Sequence, residues 1–175
     1  PLALAAGEPE GMRRGVKTAC GLLFAVYLLA MFYLLLFRQR DGFLLSRALA
    51  HGEYWENVRA CVNLTPFDTI VRFLRTIETQ EGYFVRHAFI NPVGNVVMFV
   101  PLGVFLPLLW RKMRAYWRFF LLCALAITLV EAAQALLLRG SADIDDLILN
   151  LAGATIGFPF GLLAARRFDK GERKT

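Results

Sequence analysis

The chain has 175 residues, of which 57% are hydrophobic and 19% charged, with a mean hydropathy of +0.49. This excludes a disordered polar tail, and the gathering of apolar residues into four runs of about twenty excludes an ordinary soluble globule. The formal net charge of +6 does not by itself imply nucleic acid, because a basic excess in a membrane protein reports orientation; no nucleic-acid partner is expected.

In chain order, residues 1–17 read as a cytoplasmic segment, of which the first eleven are uninformative and Met12 can serve as a native start. The first span, 18–37, follows Arg13, Arg14 and Lys17. It is longer than the apolar core of a signal peptide and is expected to be a retained anchor. A long loop from Arg38 to Ala88 comes next, with seven arginines offset by six acids. Within it Thr65-Pro66-Phe67-Asp68 reads as a capping-box-like start with proline in the first helical position. Ile70, Val71, Phe73, Leu74 and Ile77 then share one helix side, with Asp68, Arg72, Arg75 and Glu78 largely on the other. Such an amphipathic helix either lies on the outer membrane surface or packs over the mouth of the bundle.

The remaining spans are expected at about 89–110, 119–138 and 147–165, followed by a basic tail over 166–175. The expected fold is all-α: a polytopic membrane protein with a four-helix bundle over 18–165. Arg111, Lys112, Arg114 and Arg118 crowd the linker between spans two and three without an acid. The positive-inside rule puts that linker and both termini in the cytoplasm, with twelve lysines and arginines inside against eight outside.

Polar side chains inside spans are costly unless they face the protein interior. Asn91 and Asn95 open span two, Glu131, Gln134 and Arg139 end span three, and Asp143, Asp145, Asp146 and Asn150 open span four, all toward the same membrane face. At about 1.5 Å per residue, Asn95 and Glu131 lie some 9–10 Å from the ends of their spans and Asn150 about 5 Å. Asn91 and Asn95, Thr128 with Glu131 and Gln134, and Asp143 with Asp146 and Asn150 form three helical stripes that can surround an outward-open pocket. The last stripe continues as Gly153, Gly157 and Gly161, a small-residue ladder for close helix packing. Pro101, Pro107 and Pro159 are expected to bend their spans.

Plainer readings stand beside these. Asn91 before Pro92 reads as a helix N-cap, and the three aspartates suit the positive end of span four. Asn95, Gln134 and Asn150 also fit interhelical hydrogen-bond glue. Glu131 is hardest to explain without a partner, and Arg139 is its expected counter-charge. The cysteines Cys20, Cys61 and Cys123 show neither disulfide-framework nor zinc spacing, and His51 and His87 are lone loop residues. No cofactor or metal is expected.

Five separated motifs occur in order: Asn63-Leu64-Thr65-Pro66-Phe67; Asn91-Pro92-Val93-Gly94-Asn95 leading to Phe99-Val100-Pro101-Leu102-Gly103; Glu131-Ala132-Ala133-Gln134; Arg139; and Asp143–Asp146 with Asn150 and Gly153. In this the chain resembles the VanZ-like family of bacterial membrane proteins. The resemblance implies a small four-span protein of the bacterial cytoplasmic membrane, in a family named for a member conferring low-level teicoplanin resistance.

Three functions compete. In the first, Asn91, Asn95, Glu131, Gln134, Arg139, Asp143, Asp146 and Asn150 form a pocket for an envelope lipid or a glycopeptide-related ligand, with Arg139 and the positive ends of spans two and four holding a phosphate. In the second, the chain is a membrane enzyme acting on a lipid-linked phosphate substrate, with Glu131 as acid or base and Asp143 and Asp146 on a hard metal. In the third, the polar residues are structural and Gly153, Gly157 and Gly161 bind another membrane protein; a homo-oligomer is also among the expected partners.

Overall fold

The computed structural model describes residues 10–36, 43–79 and 83–172. The N-terminal stretch to residue 9 and the tail from 173, both read above as cytoplasmic, lie outside these. In chain order the elements are α1 (Glu10–Leu36), α2 (Phe43–His51), α3 (Tyr54–Ala60), β1 (Val62–Asn63), α4 (Asp68–Thr79), α5 (Tyr83–Leu109), a 3-10 turn (Arg111–Arg114), α6 (Tyr116–Leu136), β2 (Ala142–Asp143) and α7 (Ile144–Glu172). Among the described residues four stretches are long and apolar enough to cross a membrane: Gly15–Leu36, Pro92–Leu109, Tyr116–Leu136 and Ile144–Asp169. The protein is an all-α, four-span bundle with a helical cap.

The centre of the bundle is the pair α5 and α7. A Cβ built on Gly153 would come 2.0 Å from the Val96 carbonyl oxygen, on Gly157 2.1 Å from that of Val100, and on Gly161 2.3 Å from that of Val104. Only glycine lets the two backbones approach so closely. The offset between facing residues is constant, so the helices run parallel. α5 answers with its own glycine: a Cβ on Gly103 would meet the Ala154 oxygen at 2.0 Å. The glycine ladder is therefore buried inside the chain, and the expectation that it binds another protein is corrected, because α5 already occupies that face.

α6 runs antiparallel to α7, with the Phe119 ring tilted against Phe158 at 4.7 Å between ring centroids and Tyr116 edge-on to the same ring at 5.3 Å. α1 lies outermost. Phe24 and Tyr27 meet Phe105 of α5, while Leu22, Leu23, Val26, Leu29 and Phe32 are exposed, as befits a lipid-facing surface. α5 continues through Pro92, Pro101 and Pro107 without a break.

Helix ends leave carbonyls without intrahelical donors, and side chains from other elements meet several of them. Gln134 Nε2 donates to the Leu35 oxygen at the end of α1 (2.8 Å), Tyr54 Oη to Leu136 at the end of α6 (2.9 Å), and Arg114 Nε to Pro107 at the end of α5 (3.1 Å). α6 closes in a Schellman motif: the Arg139 N–H donates to Gln134 and the Leu138 N–H to Ala135. The left-handed residue there is Leu138 (φ 51°) rather than glycine. Leu138 is buried with Ala48 and Val58, so packing offsets the backbone cost of about 1 kcal/mol.

That small core also explains why the described residues between spans one and two hold three helices where periodicity indicates one. α2 and α3 fold to cover Leu138, and at nine and seven residues they are too short to show a helical period.

Candidate functional site

β1 and β2 form a two-residue parallel ladder, Val62 opposite Ala142 and Asn63 opposite Asp143. This brings the motif beginning at Asn63 to the start of α7, where the aspartates are engaged by backbone, hydroxyl and side-chain amide donors. Asp143 caps α7, its Oδ1 accepting from the Asp145 N–H at 2.9 Å. Its Oδ2 accepts from Thr69 Oγ1 at 2.8 Å and Asn63 Nδ2 at 3.2 Å.

Asp145 is fully buried. Its Oδ1 accepts from the Phe67 N–H at 2.6 Å, and its Oδ2 from the N–H groups of Thr69 (2.8 Å) and Ile70 (3.2 Å). It therefore caps α4 from a different helix. This corrects the expected capping box: α4 begins at Asp68, Phe67 before it is left-handed (φ 64°), and Thr65 donates its N–H to Asn63 Oδ1 in a local turn. α4 is thus tied to the bundle at its first turn while Val71 and Leu74 remain exposed. On its outer side Arg72 pairs with Asp68 one turn away, and that hydrogen bond holds the Asp68 carboxyl below the usual carboxylate range.

Below this layer the other polar residues converge. Asn95 Nδ2 on α5 donates to Asp146 Oδ1 on α7 at 2.6 Å. Glu131 on α6, only 8% exposed, faces the Asp143 N–H (3.4 Å) and Asn150 Nδ2 (3.5 Å) through its two oxygens. Asn150 is 3% exposed, and its Oδ1 is the buried side-chain oxygen left without a donor among the described residues. Such an orphan costs about 1–3 kcal/mol unless something supplies a hydrogen.

The structure thus brings Asn95, Glu131, Asp143, Asp146 and Asn150 together. Gln134 points instead to the end of α1, and Arg139 enters the local network through its backbone N–H. Asn91 lies inside α5, eight residues past its start at Tyr83, which corrects its reading as an N-cap; its side chain lies outside the described residues. Asp145 and Thr69 were missed as organisers. A Pro-containing turn 78 residues upstream gave no sign of needing an acceptor for the Phe67 N–H.

Chemically the cluster is acceptor-rich. The N-terminus of α7 carries its own carboxylate cap, which leaves that end poorly suited to a phosphate. Among the described residues, no group of three or more His, Cys, Asp and Glu side chains has an arrangement that could hold a metal ion. Beneath the cluster a strongly apolar groove of about 280 Å³ runs between α1, α5 and α6, lined by Tyr27, Met31, Leu35, Phe99, Ile127 and Val130 among others. Val130 adjoins Glu131, and Ile127 is one turn below it.

No curated protein and no solved structure matches the chain. The VanZ/LLP1 family model matches residues 24–165, a stretch holding all four spanning helices save the start of the first and the end of the last, together with the whole polar cluster. The chain belongs to the VanZ/LLP1 family.

Proposed function

We propose that this multi-pass protein of the bacterial cytoplasmic membrane, both termini in the cytoplasm, binds an envelope lipid at its outward-facing polar cluster and through it modulates susceptibility to glycopeptides such as teicoplanin. The observation that carries this reading is the unpartnered, buried Asn150 Oδ1 beside Glu131, whose chain neighbour Val130 lines an apolar groove. A groove of this kind suits an acyl or prenyl chain. The acceptors above it suit a head group rich in donors: sugar hydroxyls, amides or an amine.

The test is lipid extraction from the full chain released gently from its own membranes, as wild type, Glu131→Gln and Asn150→Leu, with folding checked by helicity and unfolding midpoint. The reading expects one sugar- or peptide-bearing lipid held by wild type and lost from folded variants, together with a fall in teicoplanin tolerance. The same annular mixture on all three proteins would overturn it.

A further inference from the structure

At the opposite end of the bundle lies a second cavity, of about 230 Å³, that has no part in the polar cluster. Its walls come from the start of the α1 span, the end of α5, the 3-10 turn and the end of α7. Lys17, Arg111 and Arg114 carry its positive charge, Asp169 its negative charge, and Leu108 and Leu109 supply apolar wall.

Asp169 pairs with the two terminal guanidinium nitrogens of Arg114 and lies 3.8 Å from Arg111. Arg114 is also anchored to the Pro107 carbonyl oxygen, and its side chain is 25% exposed against 75% for Arg111. Among the residues that line the cavity, basic side chains outnumber acidic ones three to one. Arg114 is fixed by its carbonyl and carboxylate, whereas Arg111 projects toward solvent.

Depth decides the ligand class. Leu108 and Leu109 are the last residues of one spanning stretch, and Lys17 stands three positions into another that starts at Gly15. The cavity therefore lies at the level where hydrocarbon gives way to lipid head groups. It lies on the face that the positive-inside rule assigns to the cytoplasm, where anionic lipids concentrate. A guanidinium fork and an ammonium beside an apolar wall suit a phosphate that is attached to acyl chains.

We propose that this cavity binds the phosphate of an anionic glycerophospholipid, with Lys17 and Arg111 as its ligands and Arg114 positioned by Asp169 as the fixed charge behind them. The site is independent of the polar cluster and of the reading given for it.

The test is native mass spectrometry of the full chain in a neutral detergent with equimolar phosphatidylglycerol and phosphatidylcholine of matched chains. Wild type is expected to hold one phosphatidylglycerol in preference by at least about fivefold, at about a fivefold change per basic group, and the preference should fall as salt rises. Lys17→Gln/Arg111→Gln should abolish the preference and Lys17→Gln alone should reduce it. Lys112→Gln/Arg166→Gln, which removes exposed charge outside the cavity, should leave it intact. Matching helicity and unfolding midpoints guard against misfolding, and if the double variant fails to fold, the single variant decides. Equal binding of the two lipids by wild type would overturn the proposal, as would equal loss in the Lys112/Arg166 variant. Inorganic phosphate binding that depends on Lys17 and Arg111, without any lipid preference, would overturn the lipid assignment in favour of a free-phosphate site.

Discussion

Along its middle α7 meets α5 through bare backbone, glycine against carbonyl oxygen, whereas over its first turns it is held by carboxylates and amides reaching across to α4, α5 and α6. The seam depends on the absence of side chains and tolerates almost no added volume. The polar end depends on individual hydrogen bonds, each of which can be removed singly. Errors in the seam are therefore expected to unfold the bundle, and errors at the polar end to loosen only the cap.

The largest effect should come from Gly157→Leu, whose Cβ would lie 2.1 Å from a carbonyl oxygen. Parting the helices should cost about 3 kcal/mol or more, read as loss of folded yield or a large fall in unfolding midpoint. Gly94→Ala sharpens the contrast: nothing lies within 4 Å of a Cβ there, so stability should change by less than about 1 kcal/mol, and upward if at all.

Asp145→Ala removes the acceptor of three N–H groups and should cost about 2 kcal/mol. The loss should appear locally, as faster amide exchange at Phe67, Thr69 and Ile70 with exchange in α5 and the seam of α7 unchanged. Global unfolding on this substitution would merge the two regions into one cooperative unit. Thr69→Val deletes one hydroxyl bond to Asp143 and should cost about 1 kcal/mol in the same local measurement.

Smallest of all should be Arg72→Ala, which breaks an exposed pair and should lower the unfolding midpoint at neutral pH only slightly. Its sign with pH is defined. The folded Asp68 carboxyl is depressed by Arg72, so the small stabilisation is complete above the ordinary aspartate range and disappears as pH falls through the lowered value. Midpoints of wild type and variant compared down the acid range check this.

The sequence made the bundle legible because long apolar runs and a four-residue glycine repeat are periodic signals. It also made the meeting of Asn95, Glu131, Asp146 and Asn150 legible, since residues at one depth on facing helices have few other places to go. It hid what is aperiodic. Asp145 reads as one acid among three at a helix start, yet it serves a backbone turn elsewhere in the chain; Gln134 reads as part of a pocket, yet it closes the end of α1. A side chain that meets a backbone group leaves no complementary residue to find, so such links emerge only when the chain is folded.

The pairing of β1 with β2 also has a timetable. Asn63 waits for Asp143, 80 residues behind it, which at synthesis rates of about 5–20 residues per second is a delay of roughly 4–16 s. Throughout that interval the N–H groups that Asp145 will accept have no acceptor on the nascent chain, and α4 has no bundle to dock on. Val71 and Leu74, exposed even in the folded protein, are then apolar side chains without a protein surface to dock on. Cap closure therefore has to follow synthesis of the start of α7, and a chain halted before span four would lack the acceptors that hold α4.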